Sequence, residues 1–447
     1  MRQISRWTIA LAAGVALGLG GSAYAGSFKL NESNAASMGR ANAGDASANK
    51  DASAAWYNPA LLAALKKSQF MLGATNYVVH GSFSKISATD AAGQPLSGGN
   101  GGNFGSHNQL GDGQTPSIFF ATPIAPRTVL GVGLTVPFGL STGYGGNSVI
   151  RYQAQYTYVA VNNIGANIGY QVTPEFSVGF GLNFARAEAK LTNKVDSGAV
   201  CFATQGPALC NTLGLYPQSQ DGFAQVAGSD NAYGWNLGLA WHHGPTTIGF
   251  SYRSRLFFTL SGNTDFKGFP ALFKNSGAFV PTGGSAGLDL PDTFDFSLTQ
   301  DISPHWRLSG SVSYIRWGIF NGITVKFTNP LQPPTTTVFD YRNVWYIALG
   351  ADYRLNANWT LHGGIAYDES PVRTQYREPR LPDYNRRWVA FGATWNINPA
   401  NSLSFSYAHL FINSHIPMNH TGSSGSTVIG TWGLSSDLFS VGYQYRF

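Results

Sequence analysis

One pentapeptide in this sequence has the pattern of a hydrolase nucleophile. Gly283-Gly284-Ser285-Ala286-Gly287 matches G-x-S-x-G, in which a strained turn between a strand and a helix exposes a reactive serine. Here the motif lies in a glycine-rich stretch, with no preceding strand or following helix expected around it. We therefore predict that Ser285 is not a nucleophile and that the protein is not an enzyme. A lipid hydrolase remains the alternative from another functional class.

Histidine and cysteine are the other residue types here that could bind a metal or respond to redox conditions. His409, His415 and His420 are irregularly spaced, which favours ordinary polar positions over a zinc site. Cys201 and Cys210 are the only cysteines, and two thiolates fall short of the four ligands that zinc usually has. In an exported protein such a pair favours one disulfide that closes a short loop. We expect neither a metal nor a cofactor.

The N-terminus carries the features of an export signal. Arg2 and Arg6 precede an apolar stretch, and Ala23-Tyr24-Ala25 is a small-x-small cleavage site, so we predict a signal peptide over residues 1–25, cleaved after Ala25. A retained membrane anchor is the alternative, but the apolar stretch is short for a membrane helix. Beyond residue 25 no uninterrupted apolar stretch reaches about 18 residues, so no membrane helix is expected in the mature chain.

The composition argues against an ordinary soluble protein. Charged residues make up 11% of the 447 residues, whereas soluble proteins have roughly 25%. Aromatic residues make up 14% and glycine contributes 54 residues, while a mean hydropathy of -0.09 is too polar for a bundle of membrane helices. These values fit a transmembrane β-barrel, where apolar and polar residues alternate. The net charge of +6, without a Lys/Arg cluster, indicates no nucleic-acid partner.

Alternation with a period of two indicates the strands. From Phe439 to Phe447 the odd-numbered residues are Phe, Val, Tyr, Tyr and Phe, whereas the even-numbered residues are Ser, Gly, Gln and Arg. One face suits lipid and the other suits water. We predict an all-β membrane protein, a 14-stranded antiparallel transmembrane β-barrel over residues 68–447. Its predicted strands lie near 68–86, 116–123, 128–138, 154–171, 176–193, 231–242, 246–264, 292–302, 305–328, 341–354, 359–370, 386–397, 401–418 and 434–447.

Tight turns, such as Ser303-Pro304, alternate with long connections. In outer-membrane barrels the short turns face the periplasm and the long loops face outside. A soluble β-sandwich would also alternate, but aromatic residues on strand after strand would then form an implausibly large exposed apolar surface. The predicted long outer loops cover about 87–115, 194–230, 265–291 and 329–340.

Residues 26–67 do not have a strand pattern. They are rich in Ala, Gly, Asn and Ser, which suits short helices and close packing. We predict a small helical plug, or hatch, inside the barrel lumen, although such a segment could also extend into the periplasm. Within it, Asn58-Pro59-Ala60 has the pattern of a helix start, with Asn as N-cap and Pro at the first helical position.

Two sets of outer-loop and strand-end residues could bind a ligand. Apolar residues are unexpected in a loop that faces water, so Phe266, Phe269, Leu272, Phe273 and Phe279 predict a capture surface, although they could instead form a small core over the barrel mouth. If the ligand is a carboxylate, a nearby cation should favour it. The candidate cations near the outer ends of strands are Arg186, Lys190 and Lys326.

The segment GSFKLNESNAASMGRANAGDASANKDASAAWYNPA resembles the hatch of the outer-membrane transporter family for long-chain fatty acids and other hydrophobic compounds (FadL/TodX, OMPP1-like). The resemblance continues through Val136-Pro137-Phe138-Gly139-Leu140, the segment from Asn358 to Pro371, and the Leu381-Pro382-Asp383 loop. It spans nearly the whole mature chain. It implies a fourteen-stranded barrel with an N-terminal hatch and a lateral opening in the wall.

The resemblance also implies roles for individual residues. The opening is ascribed to a kink in the third strand, where Pro137 and Gly139 would break the pairing; alternatively, Pro137 simply ends that strand. Phe28 would line the hydrophobic pocket, and Asn58, Pro59 and Ala60 would couple the hatch to the opening. The candidate carboxylate partners do not match the family's positions.

The sequence therefore predicts passive import of hydrophobic compounds, such as long-chain fatty acids, across a bacterial outer membrane. An aromatic hydrocarbon channel of the same fold is the nearest alternative. We further expect a monomer that contacts outer-membrane lipid and is recognised by the barrel insertion machinery through its C-terminal Phe447.

Overall fold

The computed structural model describes residues 27–98, 103–104 and 113–447, so the predicted signal peptide lies outside the described residues. The described strands form one antiparallel sheet. They are β1 Gln69–Thr89, β2 Asn103–Phe104, β3 Gly113–Ala125, β4 Thr128–Gly143, β5 Tyr156–Gln171, β6 Phe176–Asp196, β7 Asp221–His243, β8 Thr246–Arg253, β9 Leu256–Lys267, β10 Thr282–Leu290, β11 Thr293–Asp301, β12 Trp306–Ile315, β13 Gly322–Phe327, β14 Thr335–Val338, β15 Val344–Arg354, β16 Trp359–Asp368, β17 Arg386–Asn396, β18 Asn401–Thr421 and β19 Thr427–Arg446.

The sheet closes into a 14-stranded barrel because the first strand pairs with the last. Four of the fourteen strands are each interrupted once, so that β8 with β9, β10 with β11, β12 with β13, and β14 with β15 each act as one strand of the wall. The short β2 adds to the edge of β1. The predicted fold class and strand number are confirmed. Among the described residues, no helix is long and apolar enough to cross a membrane.

The alternation of side chains produces the two faces of the wall. On β6, Phe180, Leu182 and Phe184 are exposed on the outer face, whereas the intervening Gly181 and Asn183 are buried towards the lumen. Aromatic pairs such as Trp359 and Trp395, stacked with ring centroids 5.8 Å apart, lie at the turn end of their strands. Such residues form the girdle at a membrane interface.

The prediction of a loop over 265–291 is wrong at both ends. Residues 265–267 belong to β9 and residues 282–290 form β10, which pairs with β9 along its whole length. The run Thr282 to Gly287 lacks the apolar alternation that marks a strand in sequence, so only its pairing partner reveals it. The loop predicted over 194–230 is also shorter, because β6 ends at Asp196 and β7 begins at Asp221.

The residues that precede β1 fill the lumen as a plug. This plug (residues 27–68) contains two short helices, α1 Ala35–Gly39 and α2 Ala54–Tyr57, and a 3₁₀ turn at Pro59–Ala64. Its hydrogen bonds reach well-separated strands, since Gly44 N donates to Ser311 Oγ of β12 at 2.7 Å and Thr75 Oγ1 of β1 donates to the Glu32 carbonyl at 2.9 Å. The plug is therefore bonded to several sides of the wall.

Small residues on the wall allow the plug to approach closely. A Cβ atom at Gly249 of β8 would lie 1.8 Å from the Ala46 carbonyl oxygen, and one at Gly364 of β16 would lie 2.1 Å from that of Arg40. Neither distance is sterically possible, so these positions require glycine. The glycine-rich composition thus has a structural cause in the contact between wall and plug.

Among the described residues, the outer end carries three short α-helices. The first two, α3 Ser197–Gln205 and α4 Pro207–Thr212, lie between β6 and β7 and are joined by a disulfide between Cys201 and Cys210. The third, α5 Ala271–Asn275, lies between β9 and β10.

Candidate functional site

Strand β4 leaves the barrel wall halfway along its length. Its pairing with β3 ends where Leu134 lies opposite Ile118, although β3 begins at Gly113 and β4 continues to Gly143. From residue 135 to residue 142 every side chain of β4 is buried, whereas the preceding residues alternate. Burial on both faces means that the outer half of β4 has moved into the lumen.

A β-bulge produces this inward kink. Thr135 of β4 lies opposite Asn163 of β5, but Phe138 lies opposite Val161. An advance of three residues on β4 therefore corresponds to an advance of two on β5, so β4 contains one extra residue. An extra residue of this kind bends the strand that contains it. Pro137 lies inside this bulge and does not end the strand.

The edge of β3 that faces the kink is left without a neighbour among the described residues. Residues 113–117 of β3 pair with β1 on one side, and no pairing with β4 extends to them. Pro116 lies in this stretch and has no N–H to donate, which suits an unpaired edge. A break in the wall thus separates two prolines, Pro116 on β3 and Pro137 on β4.

The start of the plug replaces the missing strand pairing. Leu30 N donates to the Pro137 carbonyl at 2.8 Å, and Gly139 N donates to the Phe28 carbonyl at 2.9 Å. These bonds place Lys29 opposite Phe138 in an isolated antiparallel bridge. The plug and the kink are therefore one hydrogen-bonded unit.

Phe28 lies in an aromatic cluster at the kink. Its ring is 4.9 Å from Trp317, 5.8 Å from Phe320 and 5.9 Å from Phe138, between centroids. Trp317 and Phe320 lie in the interruption between β12 and β13. Sequence reasoning did not single these two residues out, because the interruption was predicted as continuous strand.

A large cavity extends outward from this cluster. Its volume is about 1630 Å³, whereas sites for drug-sized ligands are typically about 300–1,000 Å³. Phe28 and Phe320 line its inner end, Leu140, Val159 and Leu288 line its sides, and Phe266 and Phe279 lie near its mouth. Much of the lining is apolar, so the cavity suits a long hydrophobic molecule.

The Asn-Pro-Ala motif contacts a different part of the wall. Asn58 Nδ2 donates to the Leu239 carbonyl of β7 at 3.0 Å and to the Ala46 carbonyl at 2.7 Å, while its Oδ1 accepts from Ala60 N at 3.0 Å. A Cβ at Gly179 of β6 would lie 2.3 Å from Ala60 N. In the described chain, Phe28 and Leu30 bond to the kink, and the motif fixes the other end of the plug. The coupling of Asn58, Pro59 and Ala60 to the opening stays a prediction.

The predicted capture residues form a compact core over the barrel mouth. Phe266, Phe269 and Phe273 are buried, and Phe269 stacks on Phe279 with ring centroids 4.3 Å apart. Leu272 packs at the edge of this core, which also includes the disulfide of α3 and α4. Exposed apolar residues at this end include Leu209, Leu213 and Tyr216, beside the disulfide.

The candidate carboxylate partners do not face the cavity. Arg186 and Lys190 are even-numbered residues of β6, like the outward-facing Phe184, and so point outward. Arg186 also forms an ion pair with the exposed Glu188 at 3.1 Å. Lys326 is exposed, whereas its neighbour Val325 is buried and lines the cavity. All three cations therefore lie on the outer face of the wall.

A cation that sequence reasoning missed does line the cavity. Arg380, in the segment between β16 and β17, donates from Nη1 to Thr157 Oγ1 at 3.1 Å. The neighbouring Glu378 is 3% exposed, and burial raises its pKa to about 7, although the charge of Arg380 opposes the shift. The only signal in the sequence is an unusual concentration of charge, Arg-Glu-Pro-Arg, in the predicted loop.

A sequence model of the family described as outer membrane protein transport protein (OMPP1/FadL/TodX) matches residues 16–447. The chain belongs to this family. The long-chain fatty acid transport protein of Salmonella typhi is 28% identical over 418 residues, which cover 90% of this chain and 91% of that protein.

Solved structures have the same fold. The crystal structure of a Pseudomonas aeruginosa FadL homologue is 23% identical and has a TM-score of 0.83, covering 94% of this chain and all of that one. The toluene transporter TodX of P. putida is 19% identical with a TM-score of 0.68, covering 93% and 98%. The predicted family and the outer-membrane location are confirmed.

The serine of the G-x-S-x-G pentapeptide lies in a regular strand. Ser285 lies within β10, between Ser261 of β9 and Lys326 of β13, so it occupies a regular ladder rather than a strand-to-helix turn. In the part of the chain that the structure describes, no group of three His, Cys, Asp or Glu side chains is arranged to hold a metal ion.

Proposed function

We propose that this protein imports long hydrophobic molecules passively, by capture at the outer end, binding in the large cavity and release sideways through the break between β3 and β4. The observation that carries the proposal is the kink in β4, because it opens the wall next to the inner end of an apolar cavity. The fatty acid and toluene transporters among its relatives and structural neighbours support a hydrophobic ligand.

The polar surroundings of the plug favour a sideways route over passage straight through the lumen. Below the kink, Lys29, Asp45 and Arg253 line a small cavity of about 60 Å³. Burial lowers the pKa of Lys29 and raises that of Asp45 to about 7. A hydrocarbon chain that entered here would strip these groups of polar partners at a cost of several kcal/mol, whereas the wall break leads to lipid.

The aromatic core and the exposed Leu209, Leu213 and Tyr216 support a role of the outer loops in capture. An apolar outer surface holds a hydrophobic molecule near the entrance. The cavity begins directly beneath, where Phe266 and Phe279 line its mouth. No energy source is needed, since the molecule moves from dilute solution into lipid.

Deleting Pro137 tests the proposed exit. Removing the extra residue should let β4 pair in register with β5 and return to the wall, which closes the break. We expect intact barrels with uptake of long-chain fatty acid reduced at least about tenfold. Pro137→Ala is the matched control, because it keeps the residue count and hence the bulge, and it should retain most uptake. Undiminished uptake by the deletion variant, with barrel folding verified by its heat-dependent gel shift, would contradict the proposal.

A further inference from the structure

We propose that this protein binds the phosphate groups of lipopolysaccharide, the lipid of the outer leaflet, through a row of arginines on the outer face of the wall. The arginine row consists of Arg255, Arg316 and Arg342, with the carboxylate of Asp292 between the first two. The proposal concerns the lipid around the barrel and not the imported molecule, so it does not rest on the proposed function.

The four interruptions of the wall strands place these residues. Arg255 lies between β8 and β9, and Asp292 lies between β10 and β11. Arg316 lies between β12 and β13, and Arg342 lies between β14 and β15. The four interrupted wall strands are consecutive neighbours in the sheet. Each interruption therefore supplies one charged residue to the same part of the wall.

The pairing register shows that the interruptions lie side by side. Thr293, the first residue of β11, is opposite both Arg253 of β8 and Ile315 of β12, which are the last residues of those strands. Ile315 is in turn opposite Val344, the first residue of β15. The residues just beyond these strand ends therefore form a continuous row.

Two arginines of the row share one carboxylate. Arg255 Nε donates to Asp292 Oδ1 at 2.8 Å, and Arg316 Nη1 donates to Asp292 Oδ2 at 3.2 Å. The Asp292 side chain is 2% exposed, whereas those of Arg255 and Arg316 are 31% and 43% exposed. The other N–H groups of these two guanidinium forks have no acceptor among the described residues, so they are available to a ligand.

The third arginine adds a charge without a paired anion. Arg342 is exposed, and its Nε donates to the Ser370 carbonyl at 3.2 Å. It forms no ion pair with a carboxylate in the part of the chain that the structure describes. Within the row, three guanidinium groups thus share the single carboxylate of Asp292.

A belt of aromatic residues gives the depth of the row in the membrane. Its members are Trp235, Tyr252, Phe294, Tyr314 and Trp345. Neighbouring rings in this belt have centroids 4.6 Å to 4.9 Å apart, and such belts lie at the membrane interface. Arg255 and Arg316 come three and two residues after Tyr252 and Tyr314 on strands that run outward. The row therefore lies at the level of the lipid head groups.

The wall below the belt suits the acyl chains of the same lipid. Phe296, Leu298, Leu308 and Val312 are exposed on the outer face of β11 and β12. Lipopolysaccharide carries phosphate groups directly above its acyl chains, and arginine binds phosphate with two parallel hydrogen bonds. Clusters of basic residues at a membrane surface bind anionic lipid head groups in this way. The row lies far around the barrel from the break between β3 and β4, so the bound lipid would leave that break free.

The test measures binding of lipid A, the phosphorylated anchor of lipopolysaccharide, to the purified full-length protein in detergent by native mass spectrometry. We expect the wild-type protein to bind lipid A at least tenfold more tightly than dephosphorylated lipid A with the same acyl chains. The triple variant Arg255→Gln, Asp292→Asn, Arg316→Gln should weaken lipid A binding by a factor on the order of 10 to 100, because hydrogen bonds to charged groups are lost. It leaves no buried carboxylate unpaired. Arg342→Gln, which leaves Asp292 and its partners intact, should weaken binding at least about threefold.

An arginine at the other end of the barrel provides a matched control. Arg307 forms an ion pair with Asp301 at 2.7 Å, and its side chain is 30% exposed, close to the exposure of Arg255. It lies at the periplasmic end, away from lipopolysaccharide. Arg307→Gln should therefore bind lipid A like the wild-type protein.

Three results would overturn the assignment. The first is equal binding of lipid A and its dephosphorylated form by the wild-type protein, which does not depend on any variant folding. The second is equal binding of lipid A and phosphatidylglycerol, which would mean a general preference for anionic lipids. The third is wild-type affinity in both the triple variant and Arg342→Gln, with folding verified by the heat-dependent gel shift. Deletion of Pro137 should leave lipid A binding unchanged, so the two proposals fail separately.

Discussion

At the scale of single residues, the odd or even position of a residue along a strand decides whether its side chain faces outward or into the lumen. Arg186 and Lys190 were candidates because they are cations near strand ends, but they share the parity of Phe184 and so face outward. The sequence alone contains this parity. By contrast, the position of Arg380 beside the cavity depends on a segment that folds back into the barrel mouth, and no local sequence pattern reveals that contact.

Phe28 and Pro137 illustrate what a family resemblance adds to residue-level reasoning. One aromatic residue near an N-terminus predicts nothing by itself, yet its ring packs 4.9 Å from Trp317 at the kink. Pro137 could have ended its strand, but β4 continues to Gly143. The location of both residues followed from the resemblance, whereas their roles in binding and gating stay proposals.

Ligand binding should depend on pH through Glu378. Its pKa of about 7 means that it is largely neutral below that value and ionised above it. Arg380 and the phenols of Tyr144 and Tyr341 also face it. Both phenols stay neutral in this range, because burial raises their pKa values. Ionised Glu378 would compete for Arg380 and repel an anionic ligand, so palmitate affinity should fall as pH rises from 6 to 8. Glu378→Gln should keep the low-pH affinity at both values. A wild-type affinity that is independent of pH, measured at concentrations where palmitate stays dispersed, would exclude this competition.

At the scale of elements, the alternation of apolar and polar residues predicted most of the strands. It did not reveal a strand in which small residues take the place of the apolar ones. The Thr282–Leu290 strand begins with Thr-Gly-Gly-Ser-Ala-Gly and was predicted as loop, yet it pairs with β9 throughout. The interruptions between β8 and β9 and between β12 and β13 were equally invisible, because pairing partners rather than local sequence determine where a barrel strand breaks. The prediction of a helical plug from its Ala/Gly composition matches the structure of residues 27–68. The physical reason is the close approach of the plug to glycines of the wall.

The docking of the plug should depend on the two donor bonds of Asn58. Asn58→Ala removes its bonds to Ala46 and Leu239 and its cap on Ala60, and each buried group left without a partner costs about 1–3 kcal/mol. Asn58→Asp keeps the cap and removes only the two donors. We expect both variants to loosen the plug, seen as higher ion conductance in planar bilayers and lower hydrophobe uptake. If Asn58→Asp behaves like the wild-type protein, the residue serves only to start the 3₁₀ turn.

At the scale of the whole molecule, the barrel is closed by strand pairing, and the pairing between β3 and β4 stops partway along these strands. The β1–β19 pairing removes the sheet edges, and the kink in β4 then opens one new edge at a defined place. The fold class, strand number and outer-membrane location could be predicted from composition and alternation, since these are averages over many residues. The position of the opening relative to the cavity could not, because it depends on contacts between the first residues of the plug and β4. A monomeric state and recognition of Phe447 by the insertion machinery remain predictions.

The most direct test of lateral release is to map the path of a ligand with a fatty acid that carries a photoreactive group near the end of its tail. After illumination of the protein in membranes, the labelled peptides can be identified by mass spectrometry. Lateral release predicts labels at Phe28 and Phe138 and then along the edge of β3 at residues 113–117, with the edge labels lost when Pro137 is deleted. Labels on Lys50, Asp51 and Arg446, which line the cavity at the periplasmic end, with none on the β3 edge, would mean passage straight through the lumen and would contradict it.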